Sequence, residues 1–497
     1  IFKDKLYYST EYVIVSVDGE VIDVPHPIHN NNVTFINGFI TDPANNHQSL
    51  IAYYKENGIS TINGSNFKLI APNCPSNNLF SDLSVDSKGN LWVATGKDPG
   101  GKGFMMMNNG IWQNFNYLKN PEIRTNAYFR VNALPDDRIV YSTWGAGVNI
   151  LTKSDTGFTS NFFNNKNSPL TDLTAFPDYV ITGDAAFDRY GRMWLINFGK
   201  ISNGPLLLSA DNSYNFSPYY NCNSSSNRFY LPLVIDYSGT KWLGSDNEGP
   251  KGLLYYNEMG TLTNTNDDIC GMLSISNSSI PDNTQNCLAV DKNGFIWIGT
   301  PVGLSVILNP SSVLSSINPV IRKVNLISNL SVNDILVDAL NNKWVATNEG
   351  VWVIDADGVE VIANINTNNS PLVSNEVKSL ATDVTNGKIY FGTYKGLSEV
   401  TSLAIQPLAE FDIKCYPQPF YPSFDSEMVI EGLATDAQIR ILTSNGELVK
   451  SLETSGRKVV WDGKDENGNL VSSGIYLIVA SSSSTEATGL GKFAVIR

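Results

Sequence analysis

An apolar hairpin motif recurs along most of this chain, and its spacing restricts the fold to a few architectures. The clearest copy, Asp291–Leu304, reads D-K-N-G-F-I-W-I-G-T-P-V-G-L, an Asp/Gly turn followed by an apolar run around Trp297. An aromatic residue marks the equivalent position in seven units separated by 49, 53, 48, 55, 47 and 46 residues: Trp92, Tyr141, Trp194, Trp242, Trp297, Trp344 and Tyr390. A unit of this length has room for four short strands, which is the size of one propeller blade. The repeat therefore predicts an all-β chain built on a seven-bladed β-propeller.

An acidic turn precedes most of the aromatic markers. Asp stands six residues before the marker in five units, as Asp86, Asp188, Asp236, Asp291 and Asp338. Pro135 replaces it in the second unit, and Asp383 lies one residue further away in the last. An Asp side chain accepts backbone N–H groups two residues on, and the Gly or Asn that follows tolerates positive φ. We therefore predict structural roles for these Asp residues and for the Trp anchors.

The repeat also sets the expected domain organisation. Two weaker copies, within Leu6–Gly19 and Leu50–Ile59, precede the seven, and the pattern stops near Gln406. A ring of nine blades would be unusual, so we predict the final blades of a first propeller over residues 1–77 and the seven-bladed propeller over 78–405. Alternating strands and turns predict a C-terminal β-sandwich over 406–497. One enlarged ring is the alternative for the propeller region.

Composition excludes several classes of function. The net charge of −14 argues against nucleic-acid binding, which depends on clustered Lys and Arg. No apolar run approaches the length of about 18 residues that spans a membrane. All three histidines, His26, His29 and His47, lie in the first 50 residues, so neither a Ser-His-Asp triad nor a His-ligated zinc site is expected later.

Cysteine usage gives a weaker indication. The five cysteines lack any C-x-x-C spacing, which argues against a zinc knuckle or a thioredoxin-type centre. Most are expected to be buried free thiols. Cys270 and Cys287 could pair in an oxidising compartment, but spacing alone does not decide this.

Two sets of motifs resemble known families. The hairpins L-W-V-A-T, K-W-L-G-S, F-I-W-I-G-T and K-W-V-A-T, each with its upstream Asp turn, resemble the two-component-regulator propeller repeat of Bacteroidetes proteins. The C-terminal segments C-Y-P-Q-P (residues 415–419), S-N-G-E-L-V (444–449) and W-D-G (461–463) resemble the sorting domain of type IX secretion cargo. Gln418 stands where that family usually has Asn.

The combination of propeller blades with this tail resembles the PorZ family of type IX secretion proteins, in which two seven-bladed propellers precede a sandwich. The resemblance implies a non-enzymatic component of the attachment complex at the cell surface, exported through the periplasm and associated with the outer membrane. It further implies binding of anionic lipopolysaccharide and work beside the sortase PorU, the outer-membrane shuttle PorV and PorQ. No cofactor and no metal are expected.

Two other motifs resemble ligand loops but miss a required residue. Gly96–Gly103 nearly matches a phosphate-binding loop, yet Gly103 replaces the Ser or Thr and the segment connects strands. Asp465, Asn467 and Asn469 suggest a calcium loop, but the bidentate Glu is missing and a plain hairpin turn fits as well. We expect an ordinary loop at both places.

The turn after each marker strand is the best candidate for a binding site. Equivalent turns of all blades gather on one face of a propeller, and three of them are enlarged: Gly96–Gly103, Asn197–Pro205 and Asp246–Gly252. Long loops on a rigid scaffold are where binding sites concentrate. The predicted ligand-binding residues are Lys97, Lys102, Trp144, Lys200 and Lys251. We expect the lysines to contact anionic groups and Trp144 to stack on a sugar ring. Solvated lysines on variable loops are the alternative.

Two other functions stay open at this stage. The propeller could be the periplasmic ligand-sensing part of a hybrid two-component system, which would be expected to continue into a transmembrane helix. It could also belong to a secreted polysaccharide-degrading cargo enzyme, because paired carboxylates are defined by spatial rather than sequence separation.

Overall fold

The structure is a computed structural model. It describes residues 5–10, 13–22, 28–29, 32–33, 36–43, 47, 49–54, 58–63, 66–70, 73–118, 120, 122–154, 157–200, 205–219, 227–246, 252–402, 404–425, 427–454 and 456–497. The chain divides into two compact units, Ile1–Ser76 with Asn109–Arg124, and Asn77–Asn108 with Thr125–Arg497.

The first unit contains small antiparallel sheets. Its strands up to residue 76 are β1 (Tyr7–Ser9), β2 (Ile14–Ser16), β3 (Val21–Ile22), β4 (Ile28–His29), β5 (Asn32–Val33), β6 (Ile36–Thr41), β7 (Leu50–Tyr54), β8 (Ile59–Asn63) and β9 (Asn66–Ile70). They form the sheets β1-β2-β3, β4-β5 and β6-β7-β8-β9. The four-stranded sheet has the form of one propeller blade, and its core is built on Ile36, Leu50, Ala52 and Ile62.

The strands of the propeller come next, and all but one of them belong to the second unit. They are β10 (Asp82–Val85), β11 (Leu91–Ala94), β12 (Phe104–Asn108), β13 (Ile111–Phe115, which groups with the first unit), β14 (Tyr128–Ala133), β15 (Ile139–Gly145), β16 (Val148–Ser154), β17 (Gly157–Phe163), β18 (Val180–Phe187), β19 (Met193–Lys200), β20 (Leu207–Ala210), β21 (Phe216–Tyr219), β22 (Asn227–Arg228), β23 (Tyr230–Ile235), β24 (Lys241–Ser245), β25 (Leu253–Asn257), β26 (Ile269–Leu273), β27 (Cys287–Val290), β28 (Ile296–Thr300), β29 (Gly303–Ile307), β30 (Ile321–Ser328), β31 (Val332–Val337), β32 (Lys343–Thr347), β33 (Gly350–Ile354), β34 (Val361–Ile365), β35 (Val377–Asp383), β36 (Lys388–Thr393) and β37 (Gly396–Thr401). A 3₁₀ helix spans Pro310–Ser315.

These strands form seven antiparallel blades arranged in a closed ring. We number the blades 1 to 7 by their first strands, which are β10, β14, β18, β23, β27, β31 and β35. Each of these inner strands contacts the inner strand of the next blade, and β35 returns to β10. A backbone hydrogen bond from Phe80 to Thr393 joins the first and last blades. The all-β fold with a seven-bladed propeller is confirmed, whereas the domain limits near residues 77 and 405 stay a prediction.

In the predicted turns, one Asp side chain accepts hydrogen bonds both from the turn backbone and from the marker Trp. In blade 5, Asp291 Oδ1 accepts the backbone N–H groups of Asn293 and Phe295 at 2.9 Å, which closes the tight turn. Its Oδ2 accepts the indole N–H of Trp297 at 2.9 Å. The same indole bond joins four other pairs six residues apart: Asp86–Trp92, Asp188–Trp194, Asp236–Trp242 and Asp338–Trp344. The spacing of six therefore reflects a bond from turn to strand, and the structural roles predicted for Asp and Trp are confirmed.

Two lysines that precede marker Trp residues are buried between blades. Lys343 of blade 6 is 0 % exposed, and its Nζ lies 2.9 Å from Asp291 Oδ2 of blade 5. That ammonium also lies 4.6 Å from the ring centre of Trp297, a cation–π contact. Lys241 of blade 4 repeats the arrangement over Trp194 of blade 3 at 3.9 Å. Burial lowers the pKa of both lysines, and the facing carboxylates oppose that effect.

A two-sheet sandwich follows the ring. Its strands are β38 (Lys414–Tyr416), β39 (Met428–Glu431), β40 (Ala437–Thr443), β41 (Leu448–Thr454), β42 (Lys458–Trp461), β43 (Gly474–Ser482) and β44 (Thr488–Val495). They pair as β38-β39-β42 and β41-β40-β43-β44 around a core that includes Phe420, Trp461 and Phe493. Backbone bonds from Arg457 to Ile405 and from Leu408 to Leu433 join the sandwich to the end of the propeller.

The possible pairing of Cys270 with Cys287 is wrong. Cys287 is a free thiol buried on the inner strand β27, whereas Cys270 is disulfide-bonded. Cys415 is also a buried free thiol, as expected, but Cys74 is exposed. Burial raises the pKa of both the Cys287 and the Cys415 thiols, which keeps them protonated near neutral pH.

Candidate functional site

The enlarged loop Gly96–Gly103 joins β11 to β12 and is held at both ends. Thr95 donates its hydroxyl to the Gly103 carbonyl at 2.6 Å and accepts the Lys102 N–H at 2.8 Å. Gly101 lies against the backbone of blade 2, since a Cβ there would stand 2.4 Å from the Asn126 carbonyl oxygen. The loop is a closed turn between strands, and no helix follows it as a phosphate-binding loop requires.

Lys97 and Trp144, two of the predicted ligand-binding residues, come together. Trp144 lies near the end of β15, where it pairs with Ile181 of β18 in the next blade. The Lys97 ammonium is 4.2 Å from the ring centre of Trp144 and 5.7 Å from that of Phe129. The indole also contacts the rings of Phe129 and Phe198, with centroid distances of 5.2 and 5.3 Å. Trp144 is therefore part of an aromatic wall, whereas the sequence suggested a single stacking platform.

Of the other three predicted residues, the structure describes the side chain of Lys102 alone. Lys102 is exposed on the same loop. Strand β19 continues to Lys200, so residues 197–200 form a strand where a loop was expected. Only the backbone of Lys200 is described. Lys251 lies outside the described residues. The proposed binding role of the five residues stays a prediction.

A cavity of about 600 Å³ lies beside the Lys97–Trp144 pair. We call it the aromatic cavity. Its lining residues come from blades 1 to 4 and the segment between blades 2 and 3: Lys97, Trp144, Leu173, Ala175, Phe176, Tyr179, Ile181, Phe198, Phe229 and Asp246. Sequence reasoning missed Phe176, Tyr179, Phe198 and Phe229. The available signal was the aromatic content of the segment F-P-D-Y at residues 176–179.

Two glycines allow the walls of the aromatic cavity to pack closely. Gly145 has φ +114°, and a Cβ there would stand 2.6 Å from the Tyr179 ring. Gly199 has φ +113°, and its Cβ would stand 2.2 Å from a methyl group of Leu173. Both positions combine a left-handed backbone with a close neighbour, a combination that favours glycine.

A second cavity, of about 490 Å³, lies at the mouth of the central channel. We call it the axis cavity, because residues from blades 1, 2, 4, 5, 6 and 7 line it. They are Leu79, Ser81, Thr95, Gly96, Lys97, Gly100, Phe129, Arg130, Leu231, Asn286, Asn333, Lys378 and Tyr394. The two cavities share a wall. Lys97 lines both cavities, and Phe129, which lines the axis cavity, packs edge-on against Trp144, which lines the aromatic cavity.

Acidic side chains surround Arg130 in the channel. Arg130 is 3.8 Å from Asp82, and the carboxylates of Asp184, Asp82 and Asp334 together outweigh burial and raise its pKa. Burial raises the pKa of Asp82 to about 8, more than Arg130 lowers it. Burial also raises the pKa of Asp184 and Asp334. Near neutral pH the guanidinium therefore keeps its charge while Asp82 is largely protonated.

The channel carboxylates also join neighbouring blades. Asp82 of blade 1 accepts the Val131 N–H of blade 2 at 2.8 Å, and Asp334 of blade 6 accepts the Leu380 N–H of blade 7 at 2.8 Å. Each acid thus satisfies a backbone donor on the next inner strand. Structural bonding accounts for their presence in the channel.

The candidate calcium turn is a hydrogen-bonded hairpin turn. Asp465 Oδ1 accepts the backbone N–H groups of Asn467 and Asn469 at 2.9 and 2.8 Å. Among the residues that the structure describes, no group of three or more His, Cys, Asp and Glu side chains is placed to hold a metal ion. Within the same residues, no helix has the length and apolar character needed to cross a membrane.

Two family profiles match parts of the chain. The profile described as a two component regulator propeller matches residues 279–301, and the FlgD Ig-like domain profile matches residues 423–486. The first match covers the segment before β27 and the first two strands of blade 5, including the Asp291 turn and Trp297. A search of curated protein sequences found no match.

Solved structures similar to this chain include a type IX secretion protein. PorZ, an essential bacterial surface component of the type IX secretion system of Porphyromonas gingivalis, is 23% identical, with a TM-score of 0.72 over 99% of this chain and 69% of PorZ. The extracellular domain of a protein named as a hybrid two-component system, from B. thetaiotaomicron, is 14% identical, with a TM-score of 0.47 over 99% of this chain and 71% of that protein. The first similarity establishes the fold, and the chain is therefore a propeller protein with a PorZ-like fold, as its motifs predicted.

Proposed function

We propose that this chain is a cell-surface component of a type IX secretion apparatus that binds an anionic glycan and supports the anchoring of cargo without catalysis. The observation that carries the proposal is the likeness to PorZ over 99% of this chain. It extends across the propeller and the C-terminal sandwich together. A propeller alone would leave the function open, because this fold serves many unrelated activities.

The glycan part of the proposal is supported by the aromatic cavity. Aromatic rings such as those of Trp144 and Phe176 suit the apolar faces of sugar rings, and Lys97 supplies a positive charge beside them. In a chain with a net charge of −14, the axis cavity is a local exception, since three cations and no acidic residue line it among the residues that the structure describes, and this favours an anionic ligand there. Anionic lipopolysaccharide, the ligand implied by the sequence resemblance, fits this chemistry.

The partners and location follow from the same resemblance. We propose that the chain works at the cell surface, associated with the outer membrane through partners after export across the periplasm. The proposed partners are the sortase PorU, the outer-membrane shuttle PorV and PorQ. The sandwich would be kept as a working domain, whereas a cargo protein loses its sorting domain at the surface.

Lipopolysaccharide titration tests the binding function. Purified chain should bind anionic lipopolysaccharide from a bacterium with type IX secretion more tightly than a neutral polysaccharide. Changing Lys97, Lys102, Lys200 and Lys251 together to Ala should weaken this binding at least tenfold, which corresponds to about 1.4 kcal/mol. Lys395→Ala is the control, because Lys395 is exposed on the blade 7 turn and lines neither cavity. Unchanged affinity in the variant that lacks all four lysines would contradict the lysine-based site.

The mass of the cell-bound protein tests its place in the apparatus. A component should keep residues 411–497 at the cell surface and be captured together with PorU or PorV. Clean removal of these residues would identify the chain as cargo. Turnover of a glycan by the purified protein would contradict the non-catalytic role and favour a degrading enzyme.

A further inference from the structure

We propose that the two cavities form one bipartite site for an anionic sugar unit, with the sugar ring in the aromatic cavity and its carboxylate or phosphate in the axis cavity. This inference rests on the proposed function, because it specifies the ligand of the same face. It adds Arg130 and Lys378 as recognition residues, neither of which the sequence indicated.

Charge identifies the ligand group for the axis cavity. Among the described residues that line it, Lys97, Arg130 and Lys378 are positive and none is acidic. The Lys378 ammonium lies 5.4 Å from the ring centre of Tyr394 and 2.5 Å from a carboxylate oxygen of Glu376. Arg130 has Asp82 beside it and Lys378 has Glu376, but neither carboxylate lines the cavity. The charged groups that face a ligand there are therefore three cations from three blades, which favours a carboxylate or a phosphate.

Fixed polar groups complete the axis cavity. Asn286 donates its amide to the Val332 carbonyl at 2.9 Å, and Asn333 donates to the Val377 carbonyl at 2.7 Å. These bonds across neighbouring blades hold the two side chains in place. Such preorganised polar groups suit a ligand with several hydroxyl groups, because little ordering is needed on binding.

Ring surfaces identify the ligand group for the aromatic cavity. Five aromatic residues line it, and Phe176 is 62% exposed at its edge. Its charged lining residues are Lys97 and Asp246. A flat ring with apolar faces and polar edges matches this combination.

The wall between the cavities explains why one ligand could occupy both. The Lys97 ammonium lies over both the Phe129 and the Trp144 rings, at 5.7 and 4.2 Å from their centres. Phe129 faces the axis cavity, and Trp144 faces the aromatic cavity. A ring bound against Trp144 therefore places its charged substituent near Lys97 and the mouth of the axis cavity.

Small probes test the inference on the intact chain by calorimetric titration. The probes are glucose, glucuronate, glucose 6-phosphate, inorganic phosphate and N-acetylphenylalanine. We expect at least one charged sugar to bind ten or more times more tightly than both glucose and inorganic phosphate. Comparing glucuronate with glucose 6-phosphate shows whether the site prefers a carboxylate or a phosphate.

Variants assign the two halves of the site. Lys378→Ala should weaken the charged sugars about tenfold and leave glucose unchanged, an effect of one lost charge-assisted contact. Phe176→Ala should weaken every sugar and leave inorganic phosphate unchanged. Lys395→Ala should change nothing. Both functional variants alter partly exposed side chains, so folding is expected to persist and is checked by the melting temperature.

Several outcomes would overturn the inference. They are equal affinity for charged and neutral sugars, no binding of any probe, a Lys378→Ala variant that behaves like Lys395→Ala, and tightest binding of N-acetylphenylalanine, which would indicate a peptide carboxyl terminus. If lipopolysaccharide binds the Lys378→Ala variant normally, this inference fails and the proposed function stands. If charged sugars bind as expected but lipopolysaccharide does not, the proposed function fails instead.

Discussion

The two ends of the same propeller strands differ in how much they vary. At one end, five blades repeat the Asp turn with nearly identical geometry, the indole bond to Asp measuring 2.9 to 3.0 Å each time. At the other end, the connections range from the short turn Thr300–Gly303 to the loop Thr95–Gly103. We call the end with the Asp turns the turn face, and it acts as the scaffold. We call the end with the variable connections the loop face.

One hydrogen bond explains why the loop face tolerates variation. A Thr or Ser hydroxyl at the end of one strand donates to the carbonyl of the Gly before or at the start of the next strand. The distance is 2.8 Å across the short Thr300–Gly303 turn and 2.6 Å across the long Thr95–Gly103 loop. Ser245 and Gly252 make the same bond at 2.5 Å. The strands stay paired whatever lies between, so loops can change while the blade persists.

The largest expected effect comes from the buried ion pair near the turn face. Lys343→Ala should lower the free energy of unfolding by about 3–5 kcal/mol, because it leaves the Asp291 carboxylate buried without its cation. Urea denaturation of the intact chain measures this loss. Lys414→Ala is the matched control, since the Lys414–Asp412 pair is 67% and 65% exposed and should contribute at most about 1 kcal/mol. Equal losses in both variants would contradict the assigned role of Lys343.

The next effect concerns pH and the channel. The folded pKa of Asp82, about 8, lies above its ordinary value of 3.8, so the folded chain holds an extra proton between these values. Stability from this group is therefore lost as pH rises from about 4 to 8. Asp82→Asn should gain stability relative to the unmodified chain over this range, by up to about 1.4 kcal/mol for each pH unit.

Urea denaturation at pH 5, 6.5 and 8 measures this difference. The groups that face Asp82 are Arg130, Asp184, Asp334 and the Val131 N–H, and all are present in both proteins. Asp412→Asn is the control for the amide substitution itself, because its carboxylate is exposed in a surface ion pair that contributes at most about 1 kcal/mol. A pH-independent difference for Asp82→Asn would show that its carboxyl group is not held protonated.

A smaller effect comes from the indole bond itself. Trp297→Phe removes the N–H that binds Asp291, so it should cost about 1–3 kcal/mol beyond the loss of ring volume. Trp352→Phe is the control for ring volume, because the Trp352 N–H is buried without a hydrogen-bond partner. The difference between the two variants in urea denaturation reports the bond. No difference would remove the indole bond as the reason for the spacing of six.

The smallest effect is expected on the loop face. Lys102→Ala should change the free energy of unfolding by less than about 0.5 kcal/mol, because the side chain is exposed and its backbone N–H keeps the bond to Thr95. The same denaturation experiment checks this value. A loss as large as that of Trp297→Phe would place Lys102 in the scaffold.

The repeat made the fold predictable, because spacing and turn chemistry are local features. The repeat also indicated the indole bond. The Asp spacing of six is absent only from the two blades whose marker is a Tyr, Tyr141 and Tyr390, and Tyr has no indole N–H. Lys241 and Lys343 could not be recognised as buried, because each packs on a Trp ring of the preceding blade, Trp194 and Trp297.

The candidate site was less predictable for the same reason. Lys97 was identified from loop length and Trp144 from its place on the intervening blade, but they meet only because blades 1 and 2 are neighbours. The remaining walls, among them Phe198 and Arg130, are contributed by positions that look like ordinary strand residues in sequence. Only the closed ring brings them together.

Hydrogen–deuterium exchange with and without anionic lipopolysaccharide tests the central claim most directly. If the loop face binds the glycan, residues 96–103, 144–147 and 173–179 should gain protection. The turns at residues 86–90, 188–192, 236–240 and 291–295 should exchange at unchanged rates. Protection confined to those turns, or to residues 411–497, would contradict the account, because the ligand would then bind the scaffold end or the sandwich.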